Sequence, residues 1–363
     1  MRVAIFAPNA SFPPPEVHSV DRVMHALIDG LVELGQRVLV FAPASSKVKG
    51  ELVPVGEFPV LLRDDLECAH LKRMQTLALK EVMRRTSEID LVHAHSIDIP
   101  GVLLSTGLLT DLKIPNVTTL HSAIDRDIYS YLAACTNNIV ACSESQWSAC
   151  PTLNVRGVIY HGLDCMLYSL APEPGDYLCF LGRFDPVKQP DKAIELAVSC
   201  GMPIKLAGGT AGEASRRYFQ SEIAPFLTHP LVEYLGEIGF DEKLSLLRGA
   251  ACNLHPTGFE EPFGLSVIEA GFCGTPTLAI RRGSMSEVIE DGKTGILVDD
   301  FVEGRHRVAE CIGLDRKLIS ERNRERFDFK RMASNYLTVY DQILRVPHRK
   351  INSRLPSVAN CRS

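Results

Sequence analysis

Short apolar runs rich in β-branched residues alternate with amphipathic segments along the whole chain, and no other feature constrains the fold as much. Twelve runs recur, at 3–7, 38–42, 91–95, 117–120, 139–142 and 158–160, then at 177–181, 204–207, 232–235, 252–254, 277–280 and 296–298. Each is hydrophobic almost without interruption, as in parallel strands covered on both faces by helices. The segments between them have helical periodicity. Val20, Val23, Leu27, Leu31 and Leu34 form one stripe, with Ser19 placed to cap its start and Gly35 its stop. Residues 329–344 repeat the pattern through Met332, Tyr336, Tyr340 and Ile343. The predicted class is α/β, doubly wound.

The 363 residues correspond to two domains at roughly 150 residues each. The runs divide into two sets of six around residues 170–176, LAPEPGD, which reads as the linker. The expected units are an N-terminal Rossmann-like domain over 1–170 and a C-terminal one over 171–328. A helix at 329–345 turns back toward the first domain, and a mobile basic tail occupies 346–363. In open parallel sheets ligands bind beyond the carboxyl ends of the strands, so functional residues are sought immediately after strands.

The most informative such stretch is HPTGFEEPFGLSVIEAGFCGTP, residues 255–276. A loop after a buried strand carries Glu260, Glu261, Pro262 and Gly264, and a helix bearing Glu269 follows. Gly264 lets a ligand approach the backbone, and the free N–H groups at the helix start favour an anionic group such as a phosphate. Glu261 and Glu269 are placed to take separate hydroxyls of one extended ligand, such as sugar rings. In LGRFDPVKQP, residues 181–190, Arg183 follows a strand directly and Lys188 comes five residues later. A guanidinium grips phosphate bidentately and an ammonium adds compact charge, a pairing suited to pyrophosphate.

The GR-x4-K set, the E-x7-E spacing within EPFG…EA…GTP, and SEVIEDGKTGILV together resemble the retaining glycosyltransferases of family 4. The resemblance runs from Met1 to about Leu344 and implies the GT-B fold, two facing Rossmann-like domains with a cleft between them. It also implies transfer of a sugar from a nucleotide-diphosphate donor, most often UDP-linked, with retention of anomeric configuration and no bound metal or other cofactor. By position, Arg183 and Lys188 would neutralise the departing diphosphate, Glu261 would contact the donor sugar, and Glu269 would hold the ribose hydroxyls. Gly182 and the backbone of Phe263, Gly264, Leu265 and Ser266 would complete the donor site. His121, in TTLHS, matches the position whose imidazole or backbone meets the donor sugar.

One departure concerns the loop after the first strand, where relatives carry a glycine pair and this chain has His18 and Ser19, followed by a matching Asp21 and Arg22. Bulk in place of open backbone raises a second reading, a nucleotide-sugar-binding protein with lost or reduced transferase activity. His93 and His95 alternate on a strand end and share one side. With no third ligand in view they read as packing or acceptor contact rather than a metal pair. Asp125-Arg126-Asp127 reads as a helix start, Gly292-Lys293-Thr294 as a turn, and Gly208, Gly209 and Gly212 lack dinucleotide spacing.

A net charge of −5 argues against wholesale attraction to nucleic acid. The end of the chain differs, with fourteen basic and six acidic residues from Arg305 to Ser363, which reads first as a solvated helix surface with a frayed tail and second as a face for weak peripheral contact with anionic lipid or an anionic acceptor. The eleven scattered cysteines read as reduced thiols. The opening apolar run ends at Pro8, too soon for a signal peptide, and no stretch reaches 18 apolar residues. The expected location is cytoplasmic, and the expected acceptor is a saccharide, a lipid-linked molecule or a small molecule.

Overall fold

A computed structural model describes residues 1–10, 12–13, 19–57, 65–96, 114–124, 126–134 and 138–345. Among these, thirteen strands form two sheets. The first contains β1 (Arg2–Phe6), β2 (Arg37–Ala42), β3 (Glu51–Pro54), β4 (Leu91–Ser96), β5 (Asn116–Leu120), β6 (Asn138–Ala141) and β7 (Val155–Val158). The second contains β8 (Tyr177–Leu181), β9 (Ile204–Ala207), β10 (Val232–Gly236), β11 (Ala250–His255), β12 (Thr277–Ile280) and β13 (Gly295–Val298). All pairings within both sheets are parallel. The fold is two Rossmann-like α/β units.

The first sheet has the order β3-β2-β1-β4-β5-β6-β7 and the second β10-β9-β8-β11-β12-β13. The direction of winding reverses between β1 and β4 in one sheet and between β8 and β11 in the other. Crevices open at such switch points, beyond the carboxyl ends of the strands. Arg183 follows β8 and Glu261 follows β11, so both stand at the switch point of the second sheet.

Two strand expectations are corrected. The sets are seven and six because ELVP forms β3, an edge strand in which Val53 is the buried residue. An edge strand needs no continuous apolar run, and its charge and proline suit an unpaired side. At the opposite edge, β7 covers Val155–Val158 rather than 158–160. Its VRGV sequence is half-buried throughout and shows no apolar signal.

The first helix, Ser19–Glu33, includes Ser19 as its first residue instead of leaving it outside as the cap. Leu34, expected on the buried stripe, lies past the helix end at 38% exposure. Gly35 ends the helix at φ 77°, with Gln36 N bonded to Leu31 O at 2.9 Å and Gly35 N to Val32 O at 2.9 Å, a Schellman motif that a glycine favours.

The last helix, Phe329–Arg345, buries Met332, Tyr336, Tyr340 and Ile343 against the first half. A Cβ at Gly30 would come 2.7 Å from Ala333 Cβ and 3.0 Å from Phe329 O, so the two helices touch through that gap. Gly30→Val is expected to destabilise the fold by about 1–3 kcal/mol, the usual cost of overpacking. An unchanged denaturation midpoint would refute the contact. The Tyr336 hydroxyl lies 2.8 Å from Thr119 Oγ1, and the Tyr340 hydroxyl 2.6 Å from His93 Nδ1.

The chain therefore passes between the halves twice, after β7 and again at Asp328. The two passages are hydrogen bonded to each other, Leu163 N to Phe327 O at 3.1 Å and Phe329 N to Leu163 O at 3.1 Å. Among the described residues no helix is long and apolar enough to cross a membrane.

Candidate functional site

Arg183 and Lys188 flank a short turn between β8 and the helix Pro190–Ser199. The Arg183 side chain is 61% exposed and 3.5 Å from Asp185, so its guanidinium faces solvent. Lys188 is held instead, its ammonium bonded to the Glu261 carboxylate and 4.9 Å over the Phe259 ring. His255 Nε2 stands 3.7 Å from the same carboxylate and 3.0 Å from Thr257 Oγ1. Burial alone would raise the Glu261 carboxyl. The charges of Lys188 and His255, the Lys188 hydrogen bond and Arg183 overcome it and hold Glu261 below the usual carboxylate range. Burial also pushes His255 down to about 4, against the pull of Glu261.

The loop that carries Glu261 is braced from behind. Gly283 N donates to Glu260 Oε2 at 2.9 Å, Ser284 N to Glu261 O at 2.9 Å, and Ser284 Oγ to Phe263 O at 2.9 Å. Gly264 sits at φ 87° before the helix Leu265–Phe272, a left-handed position that glycine fills without strain. Phe263 is buried against His161, with ring centroids 4.9 Å apart. Its side chain therefore shapes the loop, in which Phe263 and Gly264 are buried and Leu265 and Ser266 half-buried. A helix start leaves its first amides without intrahelical partners.

Glu269 lies on that helix but in a separate cluster. Its carboxylate accepts from Arg22 Nη1 at 2.5 Å, Lys243 Nζ at 2.6 Å and the Tyr168 hydroxyl at 2.7 Å. It is 1% exposed. Burial would raise this carboxyl too, and the charges and hydrogen bonds of Arg22 and Lys243 outweigh it, holding Glu269 well below the usual range. Glu261 and Glu269, expected to face one ligand together, thus have different partners. Arg22 comes from the first helix, so Glu269 also ties the two halves together. Further ties are Glu287, which accepts from Ser145 N at 2.8 Å and Glu144 N at 2.7 Å, and Cys142 Sγ, 3.3 Å from Pro262 O.

His121 follows β5 and has both ring nitrogens engaged, Nε2 with His95 Nδ1 at 2.8 Å and Nδ1 with His161 Nε2 at 3.2 Å. His93 and His95 do share one side, stacked 4.2 Å apart. His93 is a buried tie to the last helix. Ser19 is exposed, while His18, Asp125 and the basic tail at 346–363 lie outside the described residues. Gly182 closes β8 where a Cβ on Gly208 would strike its carbonyl. Among the described residues no group of three or more His, Cys, Asp or Glu side chains is arranged to hold a metal ion.

Two family models cover the chain in succession, Glycosyltransferase Family 4 over residues 20–165 and Glycosyl transferases group 1 over residues 169–308. The chain is thus built of two successive glycosyltransferase domains, arranged in the GT-B fold. It is similar, at 27% identity over 276 residues, to an uncharacterized glycosyltransferase of Methanocaldococcus jannaschii, covering 70% of this chain and 76% of that one. It is 29% identical over 212 residues to the D-inositol 3-phosphate glycosyltransferase of Salinispora tropica, covering 52% of this chain and 42% of that enzyme's length. Among solved structures, the sucrose-phosphate synthase of Thermosynechococcus elongatus superposes with a TM-score of 0.73 at 17% identity, covering 94% of this chain and 99% of that one. Anabaena HepE, solved with UDP and glucose, superposes with a TM-score of 0.70 at 18% identity, covering 94% of this chain and 99% of that one. These likenesses identify the architecture.

Sequence reading did not place Lys243, His161 or Glu287 in the site. Lys243 carried a signal, since it shares the buried side of the helix Phe240–Gly249 with Leu246 and Leu247. A lysine on an apolar stripe requires a buried partner.

Proposed function

We propose that the chain transfers a sugar from a nucleoside-diphosphate sugar, UDP-linked, to a hydroxyl of a saccharide, lipid-linked or small-molecule acceptor, with retention of configuration and without a resident metal. The observation that carries this reading is the convergence of Arg183, Lys188 and Glu261 at the switch point of the second sheet, beside the helix start at Leu265. Arg183 meets an incoming diphosphate without giving up a strong partner. Lys188 exchanges Glu261 for phosphate oxygen, which frees that carboxylate for a sugar hydroxyl. The two cations stabilise the charge that builds on the leaving group, and preorganised charge of this kind supplies most of the rate enhancement in many enzymes. As the bond from the anomeric carbon to phosphate oxygen breaks, the acceptor oxygen bonds to that carbon on the same face, and its proton passes to the departing diphosphate. Separation of Arg22 from Glu269 as the cleft opens gives the ribose its carboxylate.

HepE, solved with UDP and glucose, supports the choice of nucleotide. A thermal-shift series with UDP, GDP and their sugar conjugates tests the reading, since a ligand at 100 times its Kd adds ~2.7 kcal/mol of stability. Stabilisation by UDP that disappears in Arg183→Ala is the expected result, and the absence of any stabilising nucleotide overturns it. The reading includes a cytoplasmic location and weak contact of the basic end with anionic lipid. That contact must fade with added salt, and liposome binding indifferent to salt refutes it.

A further inference from the structure

Three imidazoles at the carboxyl ends of β4, β5 and β7 form a string. His95 and His121 are linked Nδ1 to Nε2 at 2.8 Å, and His121 and His161 are linked Nδ1 to Nε2 at 3.2 Å. Their rings stack at 5.1 and 4.8 Å between centroids, and the far end of the stack rests on Phe263 of the donor loop. His95 and His161 are 6% and 4% exposed. The outer nitrogens, His95 Nε2 and His161 Nδ1, are buried and have no hydrogen-bond partner among the described residues.

Burial disfavours the charged form of each ring, bringing His161 to about 3 and holding His95 and His121 well below the ordinary imidazole value. A neutral imidazole carries one N–H. If His121 donates from Nε2 to His95, its Nδ1 must accept from His161 Nε2, and His95 must carry its own proton on Nε2. If His121 donates from Nδ1 instead, the other two rings must be protonated at Nδ1 as well. Neutral rings keep both hydrogen bonds only when all three have the same tautomer. In either state one outer nitrogen is an unpaired donor and the other an unpaired acceptor.

We propose that His95 and His161 are positioning residues which clamp the His121 ring and set its tautomer, the three rings changing tautomer as one unit. This rests on the reading that His121 borders the donor sugar. His161 then links the Phe263 loop of the second half to the His121 ring of the first, and clamping that ring leaves the backbone at His121 as the edge offered to the sugar.

Nitrogen-15 NMR of histidine-labelled, ligand-free protein at neutral pH tests the string without reference to activity. The expected spectrum shows His95, His121 and His161 neutral and in one common tautomer. A mixture of tautomers within the three, or an imidazolium signature, overturns the proposal. His161→Phe keeps a ring against Phe263 and removes one link, so the His121 Nδ1 resonance should lose its hydrogen-bond shift while His121 still shares a tautomer with His95. Turnover, kcat/KM for the sugar nucleotide, should fall about tenfold, the scale of one lost hydrogen bond, with UDP affinity unchanged. His161→Gln, whose amide reaches the Nε2 position, should restore both. A loss that His161→Gln does not recover overturns the positioning role, and the labelled wild-type spectrum still decides if His161→Phe does not fold. Failure of UDP to bind the wild-type protein would instead sink the reading of the donor site.

Discussion

Replacing Lys188 with methionine is expected to lower kcat/KM by roughly 10²–10³, the range seen when one preorganised charge-stabilising donor is removed from an active site. Methionine keeps much of the length and loses the charge. The same change leaves the Glu261 carboxylate buried with His255 at 3.7 Å and without its ammonium partner, so stability falls as well. Two further variants separate these effects. The Lys188→Met, Glu261→Gln double variant should regain stability, because no unpaired charge remains, yet stay inactive. Arg183→Ala should keep the wild-type midpoint, since that side chain is 61% exposed with a single loose partner, and should lose nucleotide affinity. Wild-type turnover in Lys188→Met would remove the diphosphate role from this lysine.

Glu269→Ala is expected to cost about 3–5 kcal/mol of stability, the scale of a buried ion pair broken from one side. Arg22 and Lys243 would each lose the carboxylate that now bonds them at 2.5 and 2.6 Å. Urea denaturation followed by circular dichroism measures the loss, and a change below about 1 kcal/mol, ordinary for a surface site, would contradict the burial of the cluster. The pH dependence has a definite sign. Because the folded-state pKa of Glu269 is depressed, its contribution is complete above the unfolded carboxyl pKa of about 4.3. The contribution is lost as pH falls through the lower folded value. Wild-type stability should therefore decline on acidification below about pH 4.3, and Glu269→Gln should show a shallower decline from a lower starting point.

Most of the layer structure was legible because a strand covered on both faces must be apolar along its length, as in β1, β2 and β11. β3 and β7 escaped for the complementary reason, since edge strands have one unpaired side and tolerate Glu51, Pro54, Arg156 and Gly157. The post-strand positions of Arg183, Lys188 and Glu261 could be read because each is local to one strand and its loop. The partners of Glu269 could not, because Arg22, Tyr168 and Lys243 come from three distant segments that only the fold brings together. The histidine string was half visible. Alternation placed His93 and His95 on one side, but His121 and His161 join through pairings such as His95 with Thr119, which periodicity does not specify.

The double passage of the chain at Leu163 and Asp328 bears on how the two halves move. A single tether would behave as a string, free to swing and twist. Two passages laced side by side behave as a strap, which bends readily across its width and resists torsion. Any opening of the cleft would thereby be channelled into one direction, returning the carboxyl edges of β8 and β11 to the same place opposite β4 and β5 on closure. The last helix belongs to the second half by chain order and to the first by packing, and it anchors the far end of that strap.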